Sequence, residues 1–198
     1  VSGSVALEQA IDWIIEEMQA DGLDRVAGDM VMVPHWVRGE ESLEMTLPRP
    51  RELPMLGLGG SIATPPGGIR AEVLVVSSFD ELEQRASEAR GKIVLFDVPF
   101  TGYGQTVQYR SQGAIAAARA GAVASIIRSV TPYSQQTPHT GNMSYADDVG
   151  RIPHAAITVE DAQLLHRLQD RGERVELLLK MSAQMLPDAP SRNVMAEI

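Results

Sequence analysis

The four histidines, at positions 35, 139, 154 and 166, are the side chains most able to hold a metal ion or move a proton near neutral pH. A hydrolytic metal site needs ligands that converge, and sequences that build one usually show HExxH or a close His/Asp/Glu grouping. No such spacing occurs here. His154 sits in an apolar run and His166 in a helical one, so both read as packed or surface side chains. His35 and His139 fall in polar stretches read as loops and keep a claim to function. The carboxylate pairs Glu16 with Glu17, Glu40 with Glu41 and Asp147 with Asp148 are adjacent in sequence. Neighbours on a helix or strand diverge, so these pairs read as solvated surface. There is no G-x-S-x-G elbow for a serine nucleophile. The glycines near position 59 lack phosphate-loop spacing, and Ile62 stands where a dinucleotide fingerprint has its third glycine. Cysteine is absent, which removes thiolate nucleophiles and cysteine metal sites.

The elements that would position these residues are clearer than the chemistry. Residues 5–20 place Leu7, Ile11, Ile14, Ile15 and Met18 on one helical face, with Ser4 as N-cap and Gly22 beyond the end. Strands are expected over 26–33 and around 43–47, and then a turn-rich passage over 56–68. From residue 71 the pattern becomes strand, helix, strand, helix, strand. Ser78 and Glu81 form a capping box for a helix ended by Gly91. The stretch RSQGAIAAARAGAVASIIR, residues 110–128, reads as a helix from about 106 to 120 followed by an apolar strand. Its alanines let helix and sheet backbones approach closely. Residues 131–150 are polar and long for a connection within a domain, a length usually reserved for function or disorder. A strand over 152–158, a helix begun by Thr158 and Asp161, a strand over 175–183, a proline-bearing link and a last strand follow.

With 198 residues, 44% hydrophobic and 22% charged, the chain can bury a real core. Its 17 basic and 26 acidic residues give a net charge of -9, which disfavours nucleic acid and acidic lipid as partners. No apolar stretch approaches membrane-spanning length. The residues therefore describe an α/β scaffold with a long polar loop and no assembled reaction centre.

Several blocks carry a resemblance. They are GEES at 39–42, LGLGGSIATPPGGI at 56–69, AEVLVVSSFDEL at 71–82, ASEARGKIV at 86–94, TVQYRSQGA at 106–114, GAVASIIRSV at 121–130, PHTG at 138–141 and IPHAAITVEDA at 152–162. Together they resemble the protease-associated domain of the carboxypeptidase Q (plasma glutamate carboxypeptidase) family and its bacterial relatives. That resemblance implies a swivelling β/β/α fold, inserted into the catalytic domain of a zinc exopeptidase in which two metal ions activate water. It implies that residues 1–38 are the early helix and strand of the peptidase domain, 39–188 the insert, and 189–198 the strand on which the peptidase fold resumes. The family's metal ligands and catalytic glutamate follow that strand, so none has a matching position here, and no catalytic or metal residue is assigned.

The expectation for function is a non-catalytic, cleft-bordering domain that contributes to substrate selection or domain contacts. Its partners are its own peptidase domain and small peptides, and its parent is secreted or periplasmic by resemblance. His139, Thr140, Asn142 and Tyr145 are the residues expected to face substrate or the peptidase domain. The alternatives are a stand-alone protein- or peptide-interaction module and a homo-oligomer contact through the apolar face of the 5–20 helix.

Overall fold

A computed structural model describes all of residues 1–198. In chain order the elements are α1 (Val5–Ala20), β1 (Asp24–Val37), β2 (Glu41–Leu47), β3 (Arg51–Glu52), β4 (Met55–Gly57), β5 (Ile69–Val76), α2 (Phe79–Gln84) and α3 (Ala86–Ala89). There follow β6 (Ile93–Phe96), α4 (Tyr103–Arg119), β7 (Ala124–Arg128), β8 (His154–Ile157), α5 (Val159–Asp170), β9 (Glu176–Met181) and β10 (Gln184–Glu197). They form two compact units, Val1–Val37 with Met185–Ile198, and Arg38–Gln184. No helix is long and apolar enough to cross a membrane.

The smaller unit is α1 with the two-stranded ribbon β1–β10. Ser4 caps α1 as expected, its hydroxyl accepting from Leu7 N at 3.2 Å, and Gly22 beyond the end takes φ 80°. The helix buries Ile11 and is tied to β10 by polar bonds. Arg192 donates to Asp12 Oδ1 at 2.7 Å, and Ser191 Oγ donates to Glu8 Oε1 at 2.7 Å. Val5, Trp13, Met30, Met32, Met185 and Met195 are exposed on this unit. Two expectations change here. His35 belongs to β1 rather than to a loop, and the proline-bearing 184–192 stretch is strand rather than link. A ribbon leaves each strand one unpaired edge, and strands of that kind tolerate proline better than central ones.

The larger unit is an eight-stranded mixed sheet in the order β3-β2-β9-β5-β6-β7-β8-β4. β5, β6, β7 and β8 are mutually parallel, whereas β9 runs antiparallel to both β5 and β2, and β4 antiparallel to β8. β2 also touches β4, so the sheet curls on itself. The parallel strands are buried on both faces, which is why they read as continuous apolar runs. On one face Val75, Leu95 and Ile126 pack against Ala162 and Leu165 of α5. On the other Leu74, Val94, Phe96 and Ile127 pack against Leu82 of α2 and against Ala114 and Ala117 of α4.

This second face answers for the small residues of α4. A Cβ at Gly113 would stand 3.1 Å from His154 Cε1 and 3.2 Å from Phe96 Cε2, tighter than ordinary contact. The helix begins at Tyr103, a few residues earlier than expected. The expected 79–89 helix is two pieces, parted at Arg85 (φ -104°, ψ 18°), whose guanidinium bonds Glu81, Glu88 and Val75 O. α5 starts where β8 ends, and Gln169 bonds both N and O of Val75, so the helix is strapped to the carboxyl ends of the parallel strands.

Candidate functional site

The 131–150 segment carries all four residues singled out from sequence, and it is pinned along its length. Ser134 Oγ donates to Glu160 Oε2 at 2.6 Å, while the amides of Gln135 and Gln136 donate to the same carboxylate. The Ser134 hydroxyl first, then amides at the start of α5 and in the loop, hold the Glu160 carboxyl down at about 2. Further on, Gly59 N donates to Gly141 O at 2.8 Å and Met143 N to Gly59 O at 3.0 Å, which makes a parallel bridge between Gly59 and Asn142. Met143 is buried in the α4-side core. A long polar segment thus gains order from a few backbone bonds and one apolar anchor.

His139, Thr140 and Asn142 are exposed; Tyr145 is half-buried. His139 is held through its backbone, N donating to Ser129 Oγ at 2.7 Å, so its ring is left on the surface. Thr140 Oγ1 donates to Gly57 O at 3.2 Å and lies 3.4 Å from Arg38 Nη2, while its carbonyl lies 3.5 Å from Arg110 Nη1. Tyr145 does something different. Its hydroxyl donates to Ile152 O at 2.7 Å and accepts from Ile62 N at 3.0 Å, and burial raises its pKa above the ordinary phenol value. It staples the β7–β8 connection to itself and to the β4–β5 connection. Tyr145→Phe leaves a backbone amide and a carbonyl unsatisfied and is expected to cost about 1–3 kcal/mol. Urea unfolding of the two proteins side by side measures it, and equal midpoints would show that water replaces the hydroxyl at no cost.

Two arginines missed from sequence complete this surface. Arg38 donates to Gly57 O and lies 3.4 Å from Glu41 Oε1, and Glu41 Oε2 accepts from Gly57 N at 2.9 Å. Arg110, on α4, donates from Nη2 to Tyr103 Oη at 2.7 Å, with its Cζ 5.5 Å from the centre of that ring. Their contacts with Gly57 and Thr140 span 19, 102 and 30 residues, which no local pattern marks.

A second polar group lies at the carboxyl ends of β6 and β7. Asp97 Oδ1 accepts from Arg128 Nη1 at 3.2 Å, and Asp97 Oδ2 lies 2.7 Å from His166 Nδ1. Asp97 and Arg128 are buried, and the His166 ring is half-exposed. His166 sits on α5, and through Asp97 it ties the helix to the sheet. His154, by contrast, is fully buried as expected, with Nε2 3.2 Å from Arg110 O.

The two-zinc centre implied by resemblance requires several imidazoles and carboxylates around one point. No three His, Asp or Glu side chains of this chain converge in that way, so these residues do not form the centre. The loop surface brings together the half-buried Arg38, Arg110 and Tyr145 with the exposed Thr140 and Asn142.

Comparison with known proteins fits this geometry. The family model described as "PA domain" matches residues 65–165, about half of the chain. Mouse carboxypeptidase Q is 54% identical over all 198 residues, and the chain spans 42% of that relative's length. A crystal structure of a peptidase M28 precursor from Shewanella amazonensis SB2B superposes with a TM-score of 0.93 at 37% identity, covering 99% of this chain and 46% of that one. A zinc aminopeptidase from Bacillus subtilis shares the fold, with a TM-score of 0.68 at 23% identity, covering 99% of this chain and 42% of that one. The curled mixed sheet flanked by helices, the match over its central half and the identity to carboxypeptidase Q from end to end agree: the chain belongs to the PA-domain family.

Proposed function

We propose that this chain is the non-catalytic, cleft-bordering part of a carboxypeptidase Q-like metallo-exopeptidase, in which the Arg38–Gln184 unit helps to select small peptides. The observation that carries the reading is the 54% identity across every residue of the chain to less than half of a carboxypeptidase. The exposed apolar side chains of α1, β1 and β10 support it, since a surface of that kind calls for cover. That cover would be the rest of the peptidase, and the two zinc ions and the catalytic groups belong to that remainder. The parent would work outside the cytoplasm.

In this reading His139, Thr140 and Asn142 face substrate or the peptidase domain, and Tyr145 holds them in place. The test uses the intact protein loaded with zinc and a series of dipeptides. Hydrolysis by the intact protein but not by residues 1–198 is expected. The double variant His139→Ala, Thr140→Ala is expected to raise KM severalfold with kcat nearly unchanged, the signature of lost uniform binding. Unchanged KM removes the loop from substrate selection. An intact protein that hydrolyses no peptide replaces the whole reading with that of an interaction module.

A further inference from the structure

Arg110 is held in an unusual electrostatic setting. Its hydrogen-bond and ring partners are all neutral, namely the Tyr103 hydroxyl and ring and the Thr140 carbonyl. Its Nε is buried and has no hydrogen-bond partner. A guanidinium pulled partly out of water without an anion beside it is under-compensated, because neutral acceptors return only part of the lost hydration.

The guanidinium also lies close to the loop backbone: a Cβ at Gly141 would stand 2.5 Å from Arg110 Cζ, so glycine there leaves room for this arginine rotamer. On the other side of Thr140, Arg38 brings a second guanidinium to 3.4 Å from the threonine hydroxyl, while it also donates to Gly57 O and lies 3.4 Å from Glu41 Oε1. Tyr103, stacked near Arg110, is 57% exposed and forms an apolar wall beside the charge. Planar, always-charged forks match a carboxylate, and the aromatic face beside them gives a small organic body something to pack against.

We propose that Arg110, with Arg38 across Thr140 from it, forms a subsite for one organic carboxylate. Two sources share that chemistry: the free C-terminus of a short peptide, and an acidic side chain from the remainder of the intact protein. The proposal deepens the substrate-selection reading above, but its first test needs only this chain and no peptidase activity, so the two can fail separately.

The first arm is an NMR titration of residues 1–198 with N-acetyl-dialanine and with its C-terminal amide, at matched ionic strength. Saturable shifts of the Arg110 Nε–H and the Gly141 amide are expected with the acid and not with the amide. Arg110→Gln is expected to weaken binding about tenfold or more, and Arg110→Lys, which keeps charge but loses the fork, to weaken it less. Equal shifts with the amide or with sodium chloride, shifts that persist in Arg110→Gln, or none at all would overturn the proposal; the acid and amide comparison on the unmutated chain decides even where a variant folds poorly. The second arm uses Arg110→Gln in the intact protein. A rise in KM for free-acid dipeptides over their C-terminal amides assigns the carboxylate to substrate. A lowered Tm with unchanged KM assigns it to the protein's own acidic side chain. If neither quantity moves, the subsite has no occupant and the proposal falls.

Discussion

Asp97→Ala is expected to destabilise the Arg38–Gln184 unit by about 3–5 kcal/mol, the range typical of breaking a buried ion pair by removing one partner. The carboxylate is 7% exposed and bonded on both oxygens, to Arg128 Nη1 at 3.2 Å and to His166 Nδ1 at 2.7 Å. Deleting it strands the Arg128 guanidinium, 8% exposed, whose Nε already has no hydrogen-bond partner. The same deletion removes the tie from α5 to the end of β6, leaving Gln169 on Val75, Asp161 on Arg51 and Glu160 on the 134–136 loop as polar fastenings of the helix. Asp97→Asn keeps the shape and one acceptor, so a smaller loss of about 1–3 kcal/mol is expected. Urea unfolding followed by circular dichroism gives both numbers. An alanine variant within 1 kcal/mol of the parent would mean that Arg128 finds water and that apolar packing alone holds α5.

The second large effect is a loss of stability in acid traced to His154. The ring is fully buried between β7 and α4, and burial pushes its pKa from 6.5 down to about 4. In the unfolded chain the same ring takes up a proton near its ordinary value, so between these limits the unfolded state binds more protons than the native one. Stability contributed by the neutral ring is therefore complete above about pH 6.5, falls as pH drops, and is gone below about pH 4. A shift of that size corresponds to about 3 kcal/mol. Unfolding free energies measured from pH 7 to 4 should show the slope in the parent and lack it in His154→Gln. The comparison rests on slope rather than absolute stability, because glutamine also changes the packing against Gly113. Equal slopes in the two proteins would place the acid sensitivity elsewhere.

The parts of this molecule that follow a local rule were legible in its sequence. Ser4, Ser78 and Thr158 each cap the helix they were expected to cap, since capping acts over three residues. Even here the detail moved: the Glu81 carboxylate accepts from Ser77 N rather than from the Ser78 amide. The buried strands were readable because both faces are covered, and the alanines of α4 because close approach removes side-chain bulk. β10 was misread because prolines at 187 and 190 argue against a central strand, and nothing local says that the strand has only one neighbour. The polar clusters escaped for a related reason. Asp97 meets Arg128 and His166 across separations of 31 and 69 residues, and Arg110 meets Thr140 across 30. A lone charge at the end of an apolar run gives no periodic signal until topology brings its partner.

One detail at the margin of the sheet reaches beyond stability. Glu40 N donates to Ser182 Oγ at 2.7 Å, and Ser182 N donates to Glu40 O at 2.9 Å, so the two ends of the Arg38–Gln184 unit are laced side by side two residues in from each terminus. A folded body whose two ends emerge together behaves as a portable cassette. It can be grafted into a hairpin of an unrelated host without prying that host apart, and genes could shuffle it between enzymes by the same economy.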